Sequence, residues 1–218
     1  MSITIFLEHL YIVVAAIALA IAIGMPLGIV CYLCPAARKI VLWVVDVLQT
    51  IPALALLGII MVFTGAGKLT VIIGIALYSL LPIVQNTNLG LLQVDDGVKD
   101  AARGMGMSRL YRLLHVELPL AFPVVFTGLR IATVNAVGSA VFAALVGGGG
   151  IGKVIYDAIH VQNMAKLMSA TVSLMVIAVG LDFLMGGIEK RLRKGASGGK
   201  RSKKNISPEA DGKLEQRV

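Results

Sequence analysis

Apolar residues run along this chain in long unbroken stretches, with neither the alternation of a strand nor the single stripe of a soluble helix. Four stretches, 10–33, 40–63, 121–146 and 167–187, each hold at least 21 residues. An α-helix needs about 20 residues to cross a bilayer core, so these four are predicted membrane spans. A fifth stretch, 69–84, holds only 16. It either continues as helix through Gln85-Asn86-Thr87-Asn88 toward Leu92, crosses a thinned bilayer, or folds back as a re-entrant hairpin. The expected fold class is all-α integral membrane, with five transmembrane helices and a cytoplasmic helical loop.

Between the third and fourth spans lies the longest polar interval, 85–120. It is neither apolar enough to cross a membrane nor polar enough to be a linker. Asp95-Asp96-Gly97 gives a turn and a helix start, and Asp100, Ala101, Ala102 and Arg103 continue the helix. Gly104 and Gly106 interrupt it. Ser108 is a candidate cap for a second helix from Arg109 to Val116, with Leu110, Leu113 and Leu114 on one face. Pro119 then opens the fourth span at a position helices tolerate. The pattern predicts a compact helix–turn–helix at the membrane surface.

Composition agrees with the pattern: 57% of residues are apolar and 15% charged, against about 25% charged in an ordinary soluble domain. The net charge of +8 raises the question of nucleic acid. However, ten of the 20 basic residues follow residue 189, beyond the last span and without interleaved aromatics, so no nucleic-acid partner is expected. Basic residues beside a span are a topology signal and a contact for anionic membrane lipids. Sixteen lie on one side of the predicted membrane, whereas Lys68, Lys153 and Lys166 lie on the other. The positive-inside rule then places the N-terminus outside and the C-terminus in the cytoplasm, which five spans also require. Residues 1–9 lack the basic start of a cleavable signal and are expected as an extracellular N-terminus. Residues 191–218 are expected as a disordered basic cytoplasmic tail.

The loop also carries a motif. Asp100-Ala101-Ala102, three residues, Gly106, nine residues, then Val116-x-Leu118-Pro119 resembles the EAA motif of ABC-importer permeases, with Asp100 for Glu and Val116 for Ile. The resemblance is nearest to osmoprotectant permeases of the glycine betaine, carnitine and choline type. It extends to Gly128-Leu129-Arg130-Ile131-Ala132-Thr133-Val134-Asn135 and to Val146-Gly147-Gly148-Gly149-Gly150-Ile151-Gly152. It implies an importer domain over 10–190 and a coupling loop of Asp100, Ala101, Ala102, Gly106, Val116, Leu118 and Pro119. It further implies cytoplasmic ATP-binding subunits, a second permease copy or paralogue and an extracellular solute-binding protein. No cofactor is expected on this chain; ATP would bind the partner subunit, and this chain would be no enzyme. The rival reading is a secondary transporter or channel subunit driven by an ion gradient, for which the 100–119 pattern has no use.

Other patterns are decoys. Gly147 to Lys153 has the spacing of a phosphate-binding loop, but Val154 stands where Ser or Thr should hold magnesium. A flexible extracellular turn is expected there. Cys31-x-x-Cys34 alone cannot complete a zinc site, and His9, His115 and His160 are scattered, so no metal is expected. Four intramembrane polar residues remain as gate candidates: Asp46, Arg130, Asn135 and Asp182. Asp46, Arg130 and Asp182 share the inner part of the membrane, and a pairing of Asp46 with Arg130 is expected. The alternative is that Arg130 snorkels to the inner headgroups while both acids face the cytoplasmic vestibule.

Overall fold

The computed structural model describes residues 2–197. Among them the secondary structure is helical throughout. Helix α1 (Ile3–Leu33) is capped by the Ser2 side chain, so the expected extracellular residues after Ser2 are already helical. Pro35 starts α2 (Pro35–Thr50), and α3 (Ala53–Thr64) follows at a bend of 102°. The predicted span 40–63 is therefore broken. The physical cause is Pro52, which lacks an N–H and forces Ile51 out of the helical region, to φ −70 and ψ 127.

Helix α4 (Lys68–Leu92) runs unbroken through Gln85 to Asn88, so the short apolar stretch is one end of a 25-residue helix and no hairpin. Helices α5 (Asp96–Gly104) and α6 (Arg109–Arg112) form the loop. Helix α6 does not end at Val116 as expected. It passes through a π turn, Leu113–Glu117, directly into α7 (Leu118–Ser139), which tightens to a 3-10 helix, Ala140–Val146. After the glycine run come α8 (Gly150–His160) and α9 (Met164–Ser197). The expected flexible turn is thus mostly helix α8. The polar tail expected from residue 191 stays helical to Ser197, and the rest lies outside the described residues. Leu, Lys and Arg are good helix formers, and basic groups suit a helix C-terminus.

Four helices, one of them running from α6 through the 3-10 segment, are long and apolar enough to cross a membrane; the bent pair α2–α3 makes a fifth if it is one span. Helix α4 is the central post, packed along α1 on one side and α7 on the other, while α9 touches mainly α7 and α8. The main core joins Ile12, Ala16, Val71, Ile75, Ala132, Ala136 and Ile151. A second core, Leu91, Val94, Leu113, Ala121 and Val125, lies under the loop. Gly128 makes the α4–α7 contact possible, since a Cβ there would lie 2.5 Å from the Pro82 carbonyl oxygen.

Candidate coupling element and intramembrane cleft

Helix α5 starts where Asp95 accepts from the N–H groups of Gly97 and Val98. It stops in a Schellman motif: Met107 N–H bonds to Ala102 O at 3.2 Å and Gly106 N–H to Arg103 O at 2.9 Å. Gly106 holds the left-handed position of that motif, with φ +77. A Cβ there would meet no atom within 4 Å, so glycine is required for backbone conformation and leaves an open face beside it. Ser108 then caps α6 through Tyr111 N–H at 3.4 Å.

The motif residues divide between two faces. Asp100 and Ala101 are exposed, and Asp100 Oδ1 accepts from Arg103 Nη1 at 2.9 Å. Ala102 is buried within the chain, so the small outward residues are Ala101, Gly104 and Gly106. Val116 and Leu118 are half-buried, and Pro119 is exposed. Of the three leucines expected on one face, only Leu113 is buried; Leu110 and Leu114 are exposed.

Inside the bundle, two prolines create a polar joint. Pro82 has no N–H to return to Tyr78 O, and Gln49 Nε2 supplies the missing donor at 2.7 Å. Reciprocally, the Tyr78 hydroxyl donates to the Ile51 carbonyl at the broken turn. Irregular backbone at membrane depth requires such replacements. Beside this joint opens a cleft of about 410 Å³ lined by Gln49, Tyr78, Ser79, Asn135, Ser139 and Phe142, among others. Its polar lining is uncharged, so it offers hydrogen bonds to a passing solute without a fixed charge to trap it. Of the gate candidates, only Asn135 lines it. Gln49, Tyr78, Ser79 and Ser139 were missed, although Gln49 and Pro52 interrupting one apolar stretch are a visible signal.

The intramembrane charges pair differently from expectation. Arg130 grips Asp182 with two hydrogen bonds, Nε to Oδ1 at 2.7 Å and Nη2 to Oδ2 at 2.8 Å. Its Nη1 donates to Glu189 Oε2 at 3.0 Å, and Thr127 donates to Glu189 Oε1 at 2.9 Å. Asp46 is exposed on α2 and takes no part. Helix α9 lies against α7, whereas α2 packs on α1 and α4, and this arrangement selects Asp182. Glu189, two residues before the expected tail, is buried. Asn135 lies with Arg130, Asp182 and Glu189 along a second cleft of about 340 Å³.

The model of the family described as "Binding-protein-dependent transport system inner membrane component" matches residues 10–194. The chain is 35% identical to the carnitine transport permease protein OpuCB of Listeria monocytogenes, over 85% of both chains. It is 37% identical to the osmoprotectant import permease protein OsmW of Salmonella typhimurium, over 82% of this chain and 85% of that one. It is 37% identical to the glycine betaine/carnitine/choline transport system permease protein OpuCD of Bacillus subtilis, over 86% of this chain and 82% of that one. Its fold is similar to that of the MetNI methionine ABC transporter in inward facing conformations, with a TM-score of 0.77 at 22% identity, over 85% of this chain and 93% of that one. With its apolar helices and family match together, the chain belongs to the binding-protein-dependent transport system inner membrane components: it is a multi-pass permease subunit of an ABC importer, a transport component whose ATP hydrolysis takes place on separate subunits.

Proposed function

We propose that this permease carries a quaternary ammonium osmoprotectant (glycine betaine, carnitine or choline) by alternating access, with its N-terminus outside and its C-terminus in the cytoplasm. The substrate class is supported by the named substrates of its relatives. It also suits an uncharged polar cleft flanked by the rings of Tyr78 and Phe142, since aromatic faces attract quaternary ammonium groups. Two permease subunits, two ATPase subunits and an extracellular binding protein complete the assembly. Asp100, Ala101 and Gly106 form the face that docks on the ATPase subunit, Ala102 anchors that face from behind, and Val116, Leu118 and Pro119 join it to α7.

The observation that carries the reading is the open, left-handed Gly106 beside the exposed Ala101. Gly106→Leu strains that turn and fills the open face. The expected outcome is normal membrane insertion, loss of the co-purifying ATPase subunit and loss of ATP-dependent uptake of radiolabelled glycine betaine, carnitine and choline. Retained ATPase binding and uptake would refute the docking role, and wild-type transport of some other solute class alone would refute the substrate class. Single cysteines at positions 2 and 200, labelled by an impermeant reagent in intact cells, test the orientation: only the first should react.

A further inference from the structure

Arg112 and Glu117 form an ion pair across the π turn, with Arg112 Nε 2.6 Å from Glu117 Oε1. Their side chains are only 11% and 1% exposed. In an α-helix two residues five apart point about 140° away from each other, and neighbours on one face are three or four apart. A π turn bonds i to i+5 and brings such a pair together. Here Leu118 N–H bonds to Leu113 O, the i to i+5 pattern. The pair therefore belongs to the π register, and reversion to a regular helix would pull it apart. Pro119 favours the same register, because it has no N–H to return to His115 O and its ring would crowd that carbonyl in an α-helix.

The place of this turn gives the pair its consequence. On one side is the coupling element; on the other is α7, which carries Arg130 and Asn135. A cavity of about 440 Å³, bordered by Tyr32, Arg103 and Glu117, separates the inner end of α1 from the coupling element. Arg109 Nη2 donates to Leu33 O at 3.3 Å on the border of that cavity. Helix α1 also touches this region, with Met25, Ile29, Tyr32 and Leu33 packed on the core under the loop, but none of these contacts sets the helical register between α6 and α7, which the Arg112–Glu117 pair spans. Apolar residues of similar volume would serve stability as well as a buried ion pair does, which leaves register as the pair's distinctive contribution.

We infer that Arg112 and Glu117 are positioning residues for energy transmission: their ion pair locks the π turn, so that the coupling element and α7 move as one body. The inference rests on the docking role proposed for the loop. In transmission, a push on Ala101 and Gly106 reaches Asn135 only if the joint does not yield.

The test uses the assembled transporter in liposomes, with its ATPase subunit and its binding protein loaded with the solute that the wild type transports. Two variants are compared with wild type, Glu117→Gln and the apolar double variant Arg112→Leu/Glu117→Leu. Both should insert and keep the ATPase subunit bound, since neither residue lies on the docking face. Solute imported per ATP hydrolysed should fall by roughly tenfold in the double variant, within the usual range of a coupling free energy, and by less in Glu117→Gln. Wild-type uptake per ATP in the double variant would overturn the inference, because the pair would then only fill space. Release of the ATPase subunit from Glu117→Gln would also overturn it, placing the pair in docking. Failure of the double variant to accumulate would overturn it too, making the pair a folding requirement. Transport lost with the ATPase subunit retained is the opposite of the Gly106→Leu outcome, so the two ideas fail separately.

Discussion

At the end of the bundle that carries α5 and α6, long charged side chains do the fastening: Arg112 reaches Glu117, and Arg130 holds Asp182 and Glu189 on another helix. At the N-terminal end of α1 short side chains fasten onto backbone groups, and behind them backbone packs closely on backbone. Glu8 Oε2 accepts from Gly150 N–H at 2.9 Å while Oε1 meets Lys68 Nζ at 2.7 Å, and the buried His9 donates through Nε2 to Val137 O at 3.2 Å. Two consecutive residues of α1 thereby hold both ends of the segment from the 3-10 helix to α8. Gly149 and Gly150, at φ +81 and +72, make the bend, and α8 lies so close to the 3-10 helix that a Cβ on Gly152 would overlap the Val141 carbonyl. Joints of these two kinds fail in opposite ways. A charged joint breaks when a partner is removed, and a backbone joint breaks when an atom is added.

The largest effect should come from the charged joint. Arg112→Leu leaves the Glu117 carboxylate buried and unpaired, and breaking such a pair costs about 3–5 kcal/mol. Thermal inactivation in detergent should show this, with stability largely restored in Arg112→Leu/Glu117→Leu. A single variant as stable as wild type would remove the contrast between the two ends. Next, Gly152→Ala adds one carbon against the Val141 backbone, an overpacking expected to cost about 1–3 kcal/mol. The same inactivation measurement, with impermeant labelling of a cysteine at Tyr156, should show α8 displaced; unchanged labelling and stability would mean that α8 is not held by shape. The smallest effect belongs to Glu8→Gln. The Glu8–Lys68 pair is partly exposed, 28% and 50% by side chain, and Gln can still accept from Gly150. Less than about 1 kcal/mol should be lost. A larger loss would show that charge matters at the N-terminal end of α1 as well.

The loop was the most legible region, because its signals are local. Asp95 and Ser108 cap their helices within three residues in sequence, and Gly106 and Met107 end α5 through bonds to Arg103 and Ala102. The charge partners were less legible. Depth along a span is readable from residue counts, but the direction of a side chain around the helix depends on packing. Depth alone therefore favoured Asp46 as the partner of Arg130, whereas the packing of α9 on α7 selects Asp182.

The sequence alone determined the elements whose free energy is set by solvent: apolar length, basic asymmetry, caps and helix stops, and through the loop motif the resemblance to importer permeases. Tertiary structure decided what depends on neighbours. It bridged the break that Pro52 makes in the second apolar stretch, where Tyr78 donates to the Ile51 carbonyl and Gln49 to the carbonyl that Pro82 leaves free. It bonded Glu189, two residues before the expected polar tail, to Arg130. It also turned a plain helix into a π turn beside Pro119, where Arg112 and Glu117 meet. In each case a polar group has no water to bond and takes the partner that folding brings within reach, and no one-dimensional pattern records which partner that is.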